Sequence, residues 1–146
     1  RGLGDVYKRQ VVFIGPCLAK RHEADSVDEV DYVMSFEELG AFMVAYDIDV
    51  ANCSEKELNH EVTKYGRGFA QAGGVQAAVV NAIGDKYSNI HIEGLDKKNQ
   101  ALLKSMAKKP DAQFVEVMAC DGGCINGPCS LAPLTLARRQ IKKVLE

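Results

Sequence analysis

The chain has 146 residues, of which 47% are hydrophobic and 26% charged, a composition typical of a globular domain rather than of a disordered chain. Its formal net charge of −2 argues against a nucleic-acid-binding surface. No apolar run approaches the roughly 20 residues of a membrane helix, and no signal peptide is visible. We therefore expect a cytoplasmic protein without nucleic-acid or membrane partners.

The opening decapeptide, RGLGDVYKRQ, has no period that connects it to the apolar run after it. We predict that residues 1–10 are a non-native, adapter-like tail and that the natural protein continued upstream of Val11. Residues 11–146 then carry the fold.

Strands and helices are predicted to alternate along the chain. Ser35 and Glu38 fit a capping box before a helix with apolar residues at helical spacing, and Leu102, Leu103 and Met106 are expected to face inward from a later helix. Strands are predicted at residues 11–14, 30–34, 90–92 and 114–118, and helices after Ser35, at 55–64, after Gly73-Gly74, at 97–108 and at 131–145. This alternation predicts a single α/β lobe, with a mostly parallel sheet flanked by helices.

The five cysteines are an odd number, so a disulfide framework cannot use them all, and spaced thiols in a cytosolic protein indicate metal or redox chemistry. Cys17 follows the first predicted strand, with Lys20 three residues later. Cys120 and Cys124 follow the strand at 114–118. Because parallel strands end at the same edge of a sheet, we expect these three thiols to gather there.

Three thiols without a histidine partner favour a soft site such as an iron–sulfur cluster. Zinc also binds thiolates, but usually through paired Cys-x-x-Cys spacings, which are absent. A cubane cluster needs four cysteines. The fourth ligand would be Cys53, Cys129 or a residue upstream of the chain.

Two of these cysteine segments are similar to signatures of one family. FIGPCLAKRHEA and EVMACDGGCINGP resemble the second and third signature segments of the iron-only (FeFe) hydrogenase catalytic domain, approximately Met-Pro-Cys-x-x-Lys-x-x-Glu and Glu-x-Met-Ala-Cys-x-x-Gly-Cys-x-x-Gly-Gly. FAQAGGV, between them, resembles the family's Gly-Gly-Val segment. The resemblance spans roughly residues 11–146 and implies one lobe of that catalytic domain.

The resemblance implies an H-cluster, in which a 4Fe-4S cluster is bridged through a cysteine sulfur to a two-iron subsite with carbonyl and cyanide ligands. Cys17, Cys120 and Cys124 would be cluster ligands, and Cys124 would supply the bridging sulfur. Lys20 would donate a hydrogen bond to a cyanide, and Met118 would pack beside the same subsite. The implied reaction is the reversible interconversion of protons, electrons and dihydrogen with a ferredoxin-type electron donor or acceptor.

Three positions depart from the family pattern. The first signature, a Thr-Ser-Cys-Cys-Pro-like segment that carries a cluster ligand, is absent from this chain and is expected in a missing upstream half of the domain. Gly15 stands where the family usually has Met, and Pro128-Cys129 replaces the usual Gly-Gly. These changes resemble less-studied sensory or accessory branches of the family.

Three functions therefore stay open at this point. The first is a hydrogenase of which this chain is an inactive part. The second is an iron–sulfur protein of the same fold in sensing or cluster assembly, and the third is a zinc-stabilised α/β module.

Overall fold

A computed structural model describes residues 10–57 and 62–145. The described residues form two compact units. Unit 1 comprises residues 10–56 and Pro128–Leu131, and unit 2 comprises residues 57, 62–127 and 132–145. The sequence predicts a single lobe and does not predict this division.

Four short strands pair in parallel, two in each unit. In unit 1, β1 (Val12–Ile14) pairs with β2 (Tyr32–Met34), and in unit 2, β3 (Asn89–Glu93) pairs with β4 (Phe114–Met118). The predicted α/β fold with parallel strands is confirmed. The expectation that one sheet edge gathers the cysteines is wrong, because the described strands form two separate sheets, and Cys17 and Cys120 follow strands of different sheets.

Six α-helices are present in the described residues. The predicted bounds at 97–108 are confirmed, and Asp96 caps that helix by accepting a hydrogen bond from the Asn99 amide. The last helix begins three residues later than predicted, because Pro133 has no amide hydrogen and sets the first turn through its carbonyl, which accepts from Leu136. The helices are α1 (Ala19–Ala24), α2 (Phe36–Ala45), α3 (Lys64–Arg67), α4 (Gly74–Ile83), α5 (Lys97–Lys108) and α6 (Leu134–Leu145).

The helix predicted at 55–64 is wrong where it can be compared. Residues 55–57 are not helical, and residues 58–61 lie outside the described residues. The chain instead forms the short helix α3, whose start is fixed by Thr63, because the Thr63 hydroxyl accepts a hydrogen bond from the Gly66 amide at 3.2 Å. In this polar segment only Thr63 indicates the start of a helix, and the prediction did not use that residue.

The apolar core of the described chain is small. Ile92 of β3 and Met106 of α5 are the buried hydrophobic residues, at 5% and 6% exposure. Leu103 is half-buried, but Leu102 is 38% exposed, so the prediction that Leu102 faces inward is wrong. Periodicity identifies the apolar side of a helix, but it does not say how much of that side a neighbour covers.

A reciprocal capping box starts α2. The Ser35 hydroxyl accepts from the Glu38 amide at 3.2 Å, and Glu38 Oε2 accepts from the Ser35 amide at 2.7 Å. The Glu38 carboxylate also accepts from Nη2 of Arg21 on α1 at 2.6 Å. The predicted cap is therefore confirmed, and it also ties α2 to α1 within unit 1.

In the described part of the chain, no helix combines the length and the apolar character that crossing a membrane requires.

Replacing Ser35 by Ala should lower the free energy of unfolding by about 1 kcal/mol, because the Glu38 amide loses its acceptor. The measurement is a urea denaturation series followed by circular dichroism. Ser35→Thr keeps the hydroxyl, and Ser54→Ala removes an exposed one, so both should unfold near the wild-type midpoint. Equal midpoints for S35A and S54A would contradict the role of the cap.

Glu38 should stabilise unit 1 only while its carboxyl is ionised. The hydrogen bond from the Ser35 amide, followed by the contact with Arg21, lowers the pKa of Glu38 below its ordinary value of 4.5. A lowered folded-state pKa gives stability that is present above the unfolded-state pKa and is lost as the pH falls through the folded-state pKa.

Glu38→Gln should therefore destabilise the chain at neutral pH, and the difference from wild type should shrink in acid well below pH 4.5. The measurement compares the urea midpoints of E38Q and wild type at neutral pH and at a pH well below 4.5. The neighbouring exposed Glu37→Gln is the matched control. A difference for E38Q that is the same at both pH values would count against this account.

Candidate metal centre

Cys17 lies on the turn between β1 and α1. β1 ends at Ile14, and the Gly15 amide continues the pairing with β2 by donating to the Met34 carbonyl at 3.0 Å. The following helix, α1, starts at Ala19, so Cys17 precedes the helix. Its thiol is half-buried. Cys17 therefore emerges from the end of a strand, as predicted.

Lys20 lies in the first turn of α1 and is already engaged. Its Nζ is 2.7 and 2.6 Å from the two carboxylate oxygens of Glu23 and 5.6 Å from the centre of the Phe13 ring. The side chain is 38% exposed, so this ion pair is screened by solvent and contributes little stability. The contacts hold the ammonium group beside β1, in the segment that carries Cys17.

The ring of Phe13 also occupies the space beside Gly15. A Cβ atom at position 15 would lie 2.9 Å from Cε1 of Phe13, closer than real Cβ contacts allow. A larger residue at this position would require the ring to move. The glycine that departs from the family pattern is therefore matched by the placement of Phe13.

Cys129 belongs to the same unit as Cys17. Its amide donates a hydrogen bond to the Pro16 carbonyl at 3.1 Å, which joins the segment Pro128–Leu131 to the turn that carries Cys17. Cys53 also lies in unit 1, exposed at the end of a 3-10 turn at Val50–Asn52, where its Sγ donates to the Asp49 carbonyl at 3.3 Å. Of the two candidates for a fourth ligand within the chain, Cys129 is thus the one with a hydrogen bond to the Cys17 turn.

The loop Cys-Asp-Gly-Gly-Cys follows β4 in unit 2. β4 ends at Met118, the Gly123 amide donates to the Cys120 carbonyl at 3.1 Å, and a 3-10 turn begins at Cys124. Cys120 is half-buried and Cys124 is exposed. The loop therefore holds two thiols at the two ends of one tight turn.

Both central positions of this loop require glycine. Gly122 and Gly123 have φ values of +82° and +86°, a region that L side chains rarely adopt. Space is also lacking, because a Cβ atom on Gly123 would lie 2.5 Å from the Ala72 amide nitrogen, and one on Gly122 would lie 2.8 Å from Cδ1 of Leu134. The glycines allow the loop to lie directly against the segment before α4 and the first turn of α6.

The cysteine loop lies against the segment FAQAGGV, residues 69–75. The Ala72 amide donates to the Gly122 carbonyl at 3.3 Å. On the other side of the loop, Glu93 Oε2 accepts from the Gly122 amide at 2.8 Å. The two segments that resemble the same family thus contact each other, and one residue of the cysteine loop has both its backbone N–H and its backbone C=O hydrogen-bonded.

Met118 is half-buried at the end of β4, and its carbonyl accepts from the Gly94 amide at 3.0 Å. Two residues earlier, Glu116 is only 6% exposed. Its Oε2 accepts from the Gln76 amide in the first turn of α4 at 2.8 Å, where a negative charge complements the helix dipole. Its Oε1 has no hydrogen-bond partner among the described residues.

A cleft lined in part by charged and polar side chains adjoins the cysteine loop in unit 2. Two neighbouring cavities of about 330 and 310 Å³ share His91, and the larger one is also lined by Glu93, Gly122 and Arg138. Gln76 orients the imidazole, because its Oε1 lies 2.9 Å from Nδ1 of His91. The cleft therefore brings charged and hydrogen-bonding groups to the edge of the loop.

Cys17 and Cys129 lie in unit 1, and Cys120 and Cys124 lie in unit 2. Loop-borne thiols at strand ends are the donor type that an iron–sulfur cluster uses, so the residues fit such a group in kind. Within neither unit do the described residues bring three Cys, His, Asp or Glu side chains together as a metal site.

Two carboxylates at this site were given no role by sequence reasoning. Glu93 ends β3, and its position next to Met118 follows from strand register, which no local pattern encodes. Glu116 carried a readable signal, because it is a charged residue inside the apolar run FVEVM at a position that proves buried. A charge inside a short buried strand points to a fixed hydrogen-bond partner.

The chain was compared with known protein families, curated proteins and solved structures. Residues 3–128 match the family model of the iron-only hydrogenase large subunit, C-terminal domain. Among curated proteins, iron hydrogenase 1 of Clostridium pasteurianum is 34% identical over 73 residues, which are 49% of this chain and 13% of that protein.

The structure is similar to solved FeFe-hydrogenases. HydA1 of Chlamydomonas reinhardtii matches with a TM-score of 0.59 and 18% identity over 90% of this chain and 52% of that one. An FeFe-hydrogenase studied for oxygen inactivation through its H cluster 2Fe subcluster matches with a TM-score of 0.59, 17% identity and the same coverage. The chain thus spans about half the length of these structures.

The likeness to the solved structures shows the fold, and the family model covers most of the chain. The predicted resemblance is therefore confirmed: this chain belongs to the iron-only hydrogenase large-subunit, C-terminal domain family.

Proposed function

We propose that this chain supplies Cys17, Cys120 and Cys124 to a 4Fe-4S cluster, and that the protein to which it belongs interconverts protons, electrons and dihydrogen. The observation that carries the proposal is the Cys120–Cys124 loop, in which two buried glycines with positive φ hold one thiol at each end. A cluster needs its thiolates presented by backbone that does not move when the charge of the cluster changes. A loop bonded on both sides meets that need.

The remaining assignments follow the family resemblance residue by residue. Cys124 would supply the sulfur that bridges the cluster to a two-iron subsite with carbonyl and cyanide ligands, and this H-cluster supplies the redox chemistry when bound. Lys20 would donate a hydrogen bond to a cyanide, a charge-assisted contact for which it must share or leave Glu23. Met118, half-buried, would pack beside the subsite.

The fourth cluster ligand has two principal sources. A cysteine in an upstream half of the domain is the source that the family pattern favours. Cys129 is the source that the structure of unit 1 favours, because its amide is bonded to the turn carrying Cys17. We propose the upstream source, with that upstream half and a ferredoxin-type protein as partners in the cytoplasm.

Gly15 supports a second candidate function, an accessory or sensing iron–sulfur protein without turnover. The Phe13 ring lies where a side chain at position 15 would begin. The side chain that the family's Met would place at this position is therefore absent, and the Phe13 ring lies there instead. A 4Fe-4S cluster without the infrared bands of iron-bound carbonyl and cyanide, in protein matured with the full cofactor machinery, would favour this second function.

Single Cys→Ser replacements at positions 17, 120 and 124 should each remove most of the cluster. The protein would be expressed from the gene extended upstream of Val11, purified without oxygen and assayed for iron, acid-labile sulfide and visible absorption. Cys53→Ser is the matched control and should keep the wild-type iron content, because Cys53 lies outside the two segments that resemble the family's cysteine signatures.

The same preparation decides between metals and between sources of the fourth ligand. Zinc without iron or labile sulfide would overturn both iron–sulfur functions. Loss of the cluster in Cys129→Ser, with retention in a variant of the upstream cysteine, would transfer the fourth ligand to Cys129.

The 146-residue chain on its own should evolve no dihydrogen after full cofactor loading, because it lacks the segment that resembles the family's first signature. The measurement is gas chromatography with a reduced viologen as electron donor, and the upstream-extended protein is the positive control. Dihydrogen evolution by the short chain would show that its own residues complete the site.

A further inference from the structure

The backbone of Gly122 is hydrogen-bonded to two other elements of unit 2. Its amide donates to Glu93 Oε2 at 2.8 Å, and its carbonyl accepts from the Ala72 amide at 3.3 Å. Gly122 is the midpoint of the loop, two residues from Cys120 and two from Cys124. Hydrogen bonds to both backbone groups of this residue therefore constrain the positions of both thiols.

Glu93 is placed by the sheet and not by the loop. It is the last residue of β3 and the register partner of Met118. Its own carbonyl accepts from the Asn99 side-chain amide of α5 at 2.9 Å, and the next residue, Gly94, is bonded to the Met118 carbonyl. The carboxylate thus extends from backbone held by β4 and α5, and the loop is fitted to it.

The Gly122–Glu93 bond has a charged acceptor in a half-buried setting. Hydrogen bonds to an ionised carboxylate are shorter and about twice as strong as neutral ones. Arg138 lies on the same side, with Nη2 3.3 Å from the position of a Cβ on Gly122, and it lines the cavity that Glu93 also lines.

We propose that Glu93 is a positioning residue for the cysteine loop. Its carboxylate accepts a hydrogen bond from the Gly122 amide and thereby fixes the placement of Cys120 and Cys124. The description of these thiols as cluster ligands rests on the proposed function. The hydrogen bond from the Gly122 amide to Glu93 forms within the polypeptide, so it is testable without metal. A negative result for this hydrogen bond is therefore distinguishable from a negative result for the proposed function.

The test measures amide hydrogen exchange by nuclear magnetic resonance in the metal-free 146-residue chain. Glu93→Ala should speed exchange at Gly122 by roughly tenfold or more, because the amide loses a charged acceptor. Glu93→Gln keeps a side-chain oxygen and should give an intermediate rate. Asp85→Ala and Asp85→Asn, at an exposed carboxylate of the same unit, are the matched controls and should leave Gly122 unchanged.

A second readout follows the half-buried thiol. Alkylation of Cys120 by iodoacetamide, relative to the exposed Cys53 of unit 1, should be faster in E93A than in wild type, since the freed loop exposes it more often. If E93A does not fold, the comparison of E93Q with D85N decides. Unchanged Gly122 exchange in a folded E93A chain, or in E93Q when E93A is unfolded, would overturn the proposal.

Discussion

The backbone of Gly122 holds the cysteine loop of unit 2 in place through hydrogen bonds of its N–H and C=O groups. β3 contributes Glu93 to its amide, and the segment before α4 contributes Ala72 to its carbonyl. The first turn of α6 approaches the same residue through Leu134. Three elements far apart in sequence therefore meet at the midpoint between two cysteines, and a side chain at position 122 or 123 would prevent each of them from approaching. The paired glycines are a requirement of packing as much as of backbone conformation.

The sheet of unit 2 positions residues around the cysteine loop and contributes little to an apolar core. Its register pairs the exposed His91 with the buried Glu116, and Glu93 with Met118, so one carboxylate lies at a position where a small domain would usually bury an apolar side chain. Each of these groups has at least one specific partner, among them the Gln76 amide for Glu116 and its side chain for His91. Such partners offset the cost of removing polar groups from water. The apolar contribution is correspondingly small, with Ile92 and Met106 as its buried members.

Local signals in the sequence predicted local structure well. The capping box at Ser35, the bounds of α5 and of β4, and the strand-end placement of Cys17, Cys120 and Cys124 all rest on residues close in sequence, and the structure has them. The failures share a different cause. Three features depend on which distant segment packs against a given element: the division into two sheets, the outward position of Leu102 and the hydrogen bond from Gly122 to Glu93. The periodicity of a single sequence carries no such information. The roles of Cys17, Lys20, Met118, Cys120 and Cys124 as cofactor contacts stay predictions from resemblance.

The four residues Pro128–Leu131 belong to unit 1, although the chain on both sides of them belongs to unit 2. One hydrogen bond to the rest of unit 1 runs from the Cys129 amide to the Pro16 carbonyl. Neither unit is therefore a continuous stretch of polypeptide. A protease that cut once after Lys56 would not release an intact unit, since the excised piece would leave Cys129 behind.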